Sequence, residues 1–444
     1  MASHLRDRLR RIQNINRTEV SKTAPVCSDT ETNPQQLLAE GWEAAGHQCL
    51  MQVFHLHQHI PIPLQFPTAL PIVVPDIPFS GNGGDAAGPF TIRDLLFFDL
   101  ETTGLSGGAG TVAFLAAFGR LVPLKGNPQE ADAHLRPQKI DYQLRPQEAD
   151  CQLRITQYLL LDYPGESEFI DALLSEFTGQ PLVLTYNGKA FDSQILKTRC
   201  LMHGIRPPEY AHADLLHPAR RLWKRLLENC SQATIEEQVL GIDRAGDVSG
   251  ALAPDIWFDF LRNGRTDALM GICEHNRRDI RGLAAIFALM VRIAAAPIET
   301  HTLFAYDAES LGIRWHDASR YALRGIHLPD AEKAAIAQTG TELLAFAAGQ
   351  GGGRAALILA LHFLRSHSAD EGRRRLREIT AGTFAAHYKA AALRFLAIDC
   401  EHYRRDYASA LEYVQAALDL ELTDSQRADF DHRRERLLAK NKEK

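Results

Sequence analysis

Residues 95–105 read LLFFDLETTGL. Leu95, Leu96, Phe97 and Phe98 follow one another with no polar alternation, the mark of a strand covered on both faces. Side chains two apart on a strand point the same way, so Asp99 and Glu101 project together from its C-terminal end. Thr102, Thr103 and Gly104 then begin a turn. Paired carboxylates at the end of a buried strand are costly unless partnered or held by a cation. A strand-end cap or solvated turn is the ordinary explanation of a lone D-x-E.

Two further stretches repeat the pattern. Residues 182–192 read LVLTYNGKAFD: a short apolar strand, a turn at Asn187-Gly188, then Phe191 and Asp192 opening a helix through SQILKTRCLMHGI. A helix dipole welcomes a first-turn carboxylate, so Asp192 alone reads as a helix start. In EHNRRDI, His275 and Asp279 stand at i and i+4 and share one face of a long apolar helix from about Asp267 to Ala296. Alone, that pair reads as a surface ion pair. The order and spacing of all three place four acids and one imidazole toward a common point.

The string D-x-E, N-x-x-x-F-D, H-x-x-x-D resembles the exonuclease motifs of the DEDD branch of the RNase H-like superfamily. Its flanks, FFDLETTGLSGGAGTVAFLAAFGRL, TYNGKAFDSQIL, DLLHPARRLWK, LGIDRAGDVSG, WFDFLRNG and EHNRRDIRGLAA, are similar to YprB-like bacterial predicted exonucleases. Those join an RNase H-like domain to tetratricopeptide repeats. The likeness runs from about Gly41 to Val291 and more faintly to the C-terminus. It implies an α/β fold, an RNase H-like mixed sheet with flanking helices, followed by an all-α tetratricopeptide-like domain. The activity it implies is 3′–5′ exonucleolytic hydrolysis of DNA or RNA with two Mg²⁺ or Mn²⁺ ions. Asp99 would bridge both ions, Glu101 and Asp279 would hold the ion carrying the nucleophilic water, and Asp192 would hold the other. His275 would orient or deprotonate that water. Histidine-type relatives space His and Asp five apart, and tyrosine-type relatives space Tyr and Asp four apart. This chain places a histidine at the four-residue spacing, which sets His275 apart from the carboxylates.

The chemistry accounts for the residue types. Two divalent ions about 3.5–4 Å apart clamp the attacking and leaving oxygens of a phosphodiester. Hard cations favour carboxylate oxygens. Without them, converging acids raise one another's pKa.

The chain has 444 residues and a formal net charge of −6, which argues for two or three domains and against a generic nucleic-acid coat protein. Basic clusters at Arg220, Arg221, Lys224, Arg225 and at Arg277, Arg278, Arg281 are nonetheless suited to a phosphate backbone. Candidate substrate contacts are Asn187, Phe191, Thr102, Arg220, Arg221 and Arg278. Seven scattered cysteines without a C-x-x-C pair imply reduced thiols and a cytoplasmic location. No 18-residue apolar run implies a membrane span, and the basic MASHLRDRLRRI start lacks the apolar core of a secretory signal.

The expected divisions are a loose basic segment at 1–33, a small β accessory with an entry loop at 34–90, the nuclease domain at 91–297, a connector at 298–338 and helices at 339–444. Pro128 to Arg154 holds three near-identical nine-residue units, PQEADAHLR, PQKIDYQLR and PQEADCQLR, expected at the tip of a hairpin where insertions are cheap. RRDYASALEYVQAALDL places Asp406, Tyr407, Ala410 and Ala417 as the second helix of a tetratricopeptide unit would, a surface for a protein partner. Two other readings stay open: a non-catalytic interaction scaffold and a structure-specific endonuclease.

Overall fold

Seven strands form one sheet in the order β1-β2-β5-β4-β3-β6-β7. They are β1 (Glu43–Ala44), β2 (Cys49–Pro63), β3 (Leu95–Thr102), β4 (Ala113–Pro123), β5 (Glu148–Leu160), β6 (Leu182–Thr185) and β7 (Ala211–Asp214). The computed structural model describes residues 34–63, 65–77, 90–104, 110–123, 148–322, 328–366 and 368–442. Strands β1 to β5 pair antiparallel, whereas β3–β6 and β6–β7 are parallel. The sheet is therefore mixed, with β3 at the change of direction.

Helices α1 (Pro34–Ala39) and α2 (Leu70–Val73) precede β3. Helices α3 (Glu166–Ser175), α4 (Asp192–Met202), α5 (Leu216–Trp223), α6 (Gln232–Gln238), α7 (Ala253–Asn263) and α8 (Asp267–Ala295) flank the later strands. On β3, Leu95 and Phe97 face one core with Ile280, Leu283 and Phe287 of α8. Leu96, Phe98 and Leu100 face a second core with Phe169, Ile195, Trp257 and Phe260. Early α8 residues Leu269, Ile272 and Cys273 lie in the second core, and its later residues in the first. His275, Asn276 and Asp279 thus fall where α8 passes from one core to the other.

The strand expected as a separate accessory is part of this sheet. β2 pairs with β5 from Cys49↔Leu160 to Pro63↔Glu148, with a bulge between Leu56 and His59. The nine-residue units are also placed differently. From Glu148 onward the third unit is strand, because β2 and β4 continue on either side of it. The first two units and residues 1–33 lie outside the described residues.

The expected connector is largely helical: α9 (Pro297–Leu303), α10 (Ala308–Asp317) and a π-helical turn at Ala318–Ala322. Helix α11 (Asp330–Gly349) crosses the expected boundary at 338. It is followed by α12 (Gly353–Leu364), α13 (Ala369–Ala381), α14 (Ala386–Ile398), α15 (Tyr407–Leu418) and α16 (Asp424–Lys442). Each packs on the next. Asp406 caps α15 by accepting from the Ser409 N–H at 3.1 Å, and Ala410 and Ala417 are fully enclosed between helices.

A buried carboxylate, Glu401, fastens the last helix. It accepts from Arg433 Nη1 (2.6 Å), Arg436 Nη2 (2.8 Å) and Lys440 Nζ (2.9 Å). Burial opposes its charge, but these donors hold its carboxyl down to about 2. Glu401→Gln is expected to cost about 2 kcal/mol in urea unfolding, below the usual range for a buried pair because Arg436 and Lys440 keep solvent access. That contribution is present above the unfolded carboxyl pKa and is lost as pH falls toward 2.

None of the six described cysteines is in a disulfide. Burial pushes the Cys49 and Cys273 thiols up to about 12, so neither forms thiolate readily. Among the described residues no helix is long and apolar enough to cross a membrane.

Candidate active site

The four expected acids converge. Asp99 and Glu101 stand on the last turns of the β3 pleat, Asp192 in the first turn of α4, and Asp279 on α8. Burial and the charges of Asp279, Asp192 and Glu101 hold the Asp99 carboxyl well above the usual range. Burial, Asp279, Asp192 and Asp247 push Glu101 up to about 8. Burial, Asp214 and Asp279 push Asp192 up to about 7. Three remote stretches of chain therefore feel one another's charge at one point.

His275 joins them. Its Nε2 lies 3.4 Å from Asp279 Oδ2 and 3.9 Å from Glu101 Oε1. One donor atom from each of Glu101, His275 and Asp279 fits within a mutual span of 4.8 Å. The other ring nitrogen, Nδ1, meets Asp247 Oδ1 at 3.0 Å.

Backbone detail holds these groups in place. Asn187 has φ +68°, a left-handed turn conformation that asparagine tolerates. Its N–H donates to Asp214 Oδ1 at 2.8 Å, and the Lys189 N–H donates to Asp214 Oδ2 at 3.1 Å. A Cβ on Gly188 would meet Thr185 Oγ1 at 2.7 Å and Asp192 Oδ2 at 2.8 Å. Gly188→Ala is therefore expected to displace Asp192 and weaken divalent-ion binding about tenfold by calorimetry, the loss typical of disturbing residues around a metal ligand.

Several residues of the site escaped the sequence reading. Asn276 is fully buried, and its Nδ2 donates to Asp99 Oδ2 at 2.7 Å. Its Oδ1 accepts from Gln157 Nε2 at 2.9 Å, and Gln157 Oε1 accepts from Arg277 Nη1 at 3.1 Å. A guanidinium can only donate, so both amide orientations follow from Arg277 and a donor is delivered to Asp99. Arg244 donates to Asp247 Oδ2 at 3.0 Å, pairs with Asp279 and lies 3.6 Å from Glu236 Oε2. Burial opposes the Arg244 charge, but these three carboxylates outweigh it and raise its pKa. Arg244 and Asp247 come from LGIDRAGDVSG, whose likeness to relatives assigned no role to either residue. Asn276 lies inside EHNRRDI, and Asp214 closes the short strand AHAD.

The expected substrate contacts divide. Arg220 and Arg221 are exposed on α5, with no ion pair among the described residues. Arg278 donates through Nε to Glu274 Oε1 at 3.0 Å, while its Nη1 is buried 4.0 Å from Asp247 Oδ1 with no hydrogen-bond partner among the described residues. Thr102 commits its hydroxyl to Gly104 O at 2.9 Å, and Phe191 packs against the second core. Arg277 turns toward the sheet, its guanidinium 4.1 Å above the Phe54 ring and bonded to Glu274, rather than toward a phosphate path.

The mixed sheet with an acidic cluster at its change of direction is RNase H-like, and residues 144–291 match the RNase H superfamily. The uncharacterized protein YprB of Bacillus subtilis (strain 168) is 36% identical over 201 residues, which cover 45% of this chain and 42% of that protein. The chain thus spans less than half the length of that relative.

Proposed function

We propose that this chain is a metal-dependent DEDD-type nuclease, releasing nucleotides from the 3′ end of DNA or RNA. The observation that carries the reading is the meeting of Asp99 and Glu101 on β3 with Asp192 on α4 and Asp279 on α8, the last two inside the stretch 144–291 that matches the RNase H superfamily.

The site fits divalent ions. Its carboxyls are driven toward protonation by burial and by one another, a penalty that positive charge removes. Its four acids offer carboxylate oxygens, the donors suited to Mg²⁺ or Mn²⁺. Two such ions would neutralise the scissile phosphate and promote attack by water. Asp99, Glu101 and Asp279 would hold one ion, with Asp99 shared and Asp192 holding the second. The Asn276 N–H fixes which Asp99 oxygen stays free. The exposed Arg220 and Arg221 supply donors for backbone phosphates.

End-labelled single strands and duplexes of DNA and RNA test the reading, with circular substrates alongside and Mg²⁺ or Mn²⁺ present. Wild type is expected to shorten linear strands from the 3′ end and to spare circles. Cleavage of circles would favour endonucleolytic action. Activity equal to that of Asp279→Ala on every substrate would refute catalysis.

A further inference from the structure

We infer that His275 is a direct ligand of a divalent ion, bound through Nε2, rather than the base that deprotonates water. This rests on the metal-site reading above and goes beyond it in the ion it selects.

The donor spacing carries the first part. His275 Nε2 stands 3.4 Å from Asp279 Oδ2 and 3.9 Å from Glu101 Oε1. Ligands sharing one ion, each bonded at about 2.0–2.2 Å, sit roughly 3–4 Å apart. Both separations from Nε2 fall in that range, and donor atoms of all three residues lie within 4.8 Å of one another.

The orientation carries the second. Nδ1 is taken by Asp247 Oδ1 at 3.0 Å, and Asp247 is held in turn by Arg244 Nε at 3.0 Å. A carboxylate on one ring nitrogen keeps the proton there and leaves the lone pair on the other, the arrangement found around metal-ligating imidazoles. Here that lone pair faces two carboxylates.

Space is the third. A Cβ on Gly250 would fall 2.9 Å from His275 Nε2 and 3.7 Å from Glu101 Oε1. The loop that supplies Asp247 and Arg244 therefore carries no side chain where it passes the donor atoms.

An imidazole in the set favours first-row transition ions over Mg²⁺, which keeps to oxygen and water. The ion class is therefore that of Mn²⁺, and Mn²⁺ serves as the probe. Pulsed electron paramagnetic resonance of the full chain with Mn²⁺ is expected to show nitrogen coupling that His275→Gln abolishes. Calorimetry is expected to give Mn²⁺ binding at least ~10-fold tighter than Mg²⁺ in wild type, a preference that narrows several-fold in His275→Gln. Asp247→Asn, which leaves the imidazole present but less firmly oriented, should lose about tenfold in Mn²⁺ affinity.

Mn²⁺ bound by an active wild type without nitrogen coupling, or with coupling that survives His275→Gln, overturns the ligand assignment and leaves the nuclease reading intact. Nitrogen coupling in a protein that cleaves no substrate supports the ligand assignment and overturns the nuclease reading. An absence of saturable Mn²⁺ binding overturns both.

Discussion

Asp99→Asn will abolish cleavage and yet make the ion-free protein harder to unfold. Both effects follow from one carboxylate. With ions bound, Asp99 would share its charge between them, and an amide cannot replace that charge. The expected loss is about 10³-fold or more in kcat/KM, roughly 4 kcal/mol of transition-state stabilisation. Without ions, the same carboxyl is desolvated among Asp279, Asp192 and Glu101, and among the described residues the Asn276 N–H favours its charge. An asparagine of nearly the same shape can still accept from Asn276 while removing the repulsion. Urea unfolding at pH 8 in EDTA should show a gain on the order of 1–2 kcal/mol for the variant. Saturating Mn²⁺ should reverse the order, because ion binding stabilises only the chain that retains the site. A variant within tenfold of wild-type activity would remove Asp99 from the chemistry. A variant less stable in EDTA would show that the Asp99 charge is already compensated within the protein.

The ion-free protein will also lose stability as pH rises from 5.5 to 8. Glu101, ordinarily near 4.5, is held at about 8, and Asp192, ordinarily near 3.8, at about 7. Below about pH 4 both carboxyls are protonated, folded or unfolded. Between there and the folded values, the unfolded chain has released its protons and the folded chain retains them. Stability therefore falls with pH across this window and levels off above about 8. Glu401, Asp76 and Glu274, all held low, are ionised in both states over the same range and do not alter the slope. Burial lowers the imidazole pKa of His212, His316 and His362, so they work in the opposite direction as pH rises toward 7. The informative comparison is thus with Glu101→Gln, which retains the histidines and removes one acid. In EDTA, the Tm of wild type relative to that variant should drop by several degrees between pH 5.5 and 8. Mn²⁺ should flatten the difference. A constant gap across that range would mean that Glu101 is not perturbed by folding.

The four acids were legible because each sits beside a local signal: an apolar run, a turn and helix start, or a helical repeat. The residues that hold them were less so, because their roles exist only across the fold. Gln157 meets Asn276 across 119 positions of chain, and Arg244 meets Asp279 across 35. Nothing in the local periodicity of either segment marks those contacts. Strand β2 was misjudged for a related reason. Its end, HIPIP, carries prolines that argue against a paired strand, yet among the described residues β1 covers only Leu50 and Met51, and the edge beside Pro61 and Pro63 has no strand partner there. The helical region was readable from its Ala and Leu spacing, but its boundary was not, since α11 starts eight residues or more before the compositional shift.

That β5 begins within the third nine-residue unit has a consequence for how the strand finds its register. Three near-copies of one peptide invite mispairing, since any of them could compete for the gap between β2 and β4. Cys151 occupies a fully enclosed position there, opposite Ile60 on one side and Pro123 on the other. A chain slipped back by one unit would bring Tyr142 to that point, and a phenol ring cannot be accommodated where a thiol is already close-packed. The middle copy is on that ground expected to fit poorly in the slot that the last copy fills.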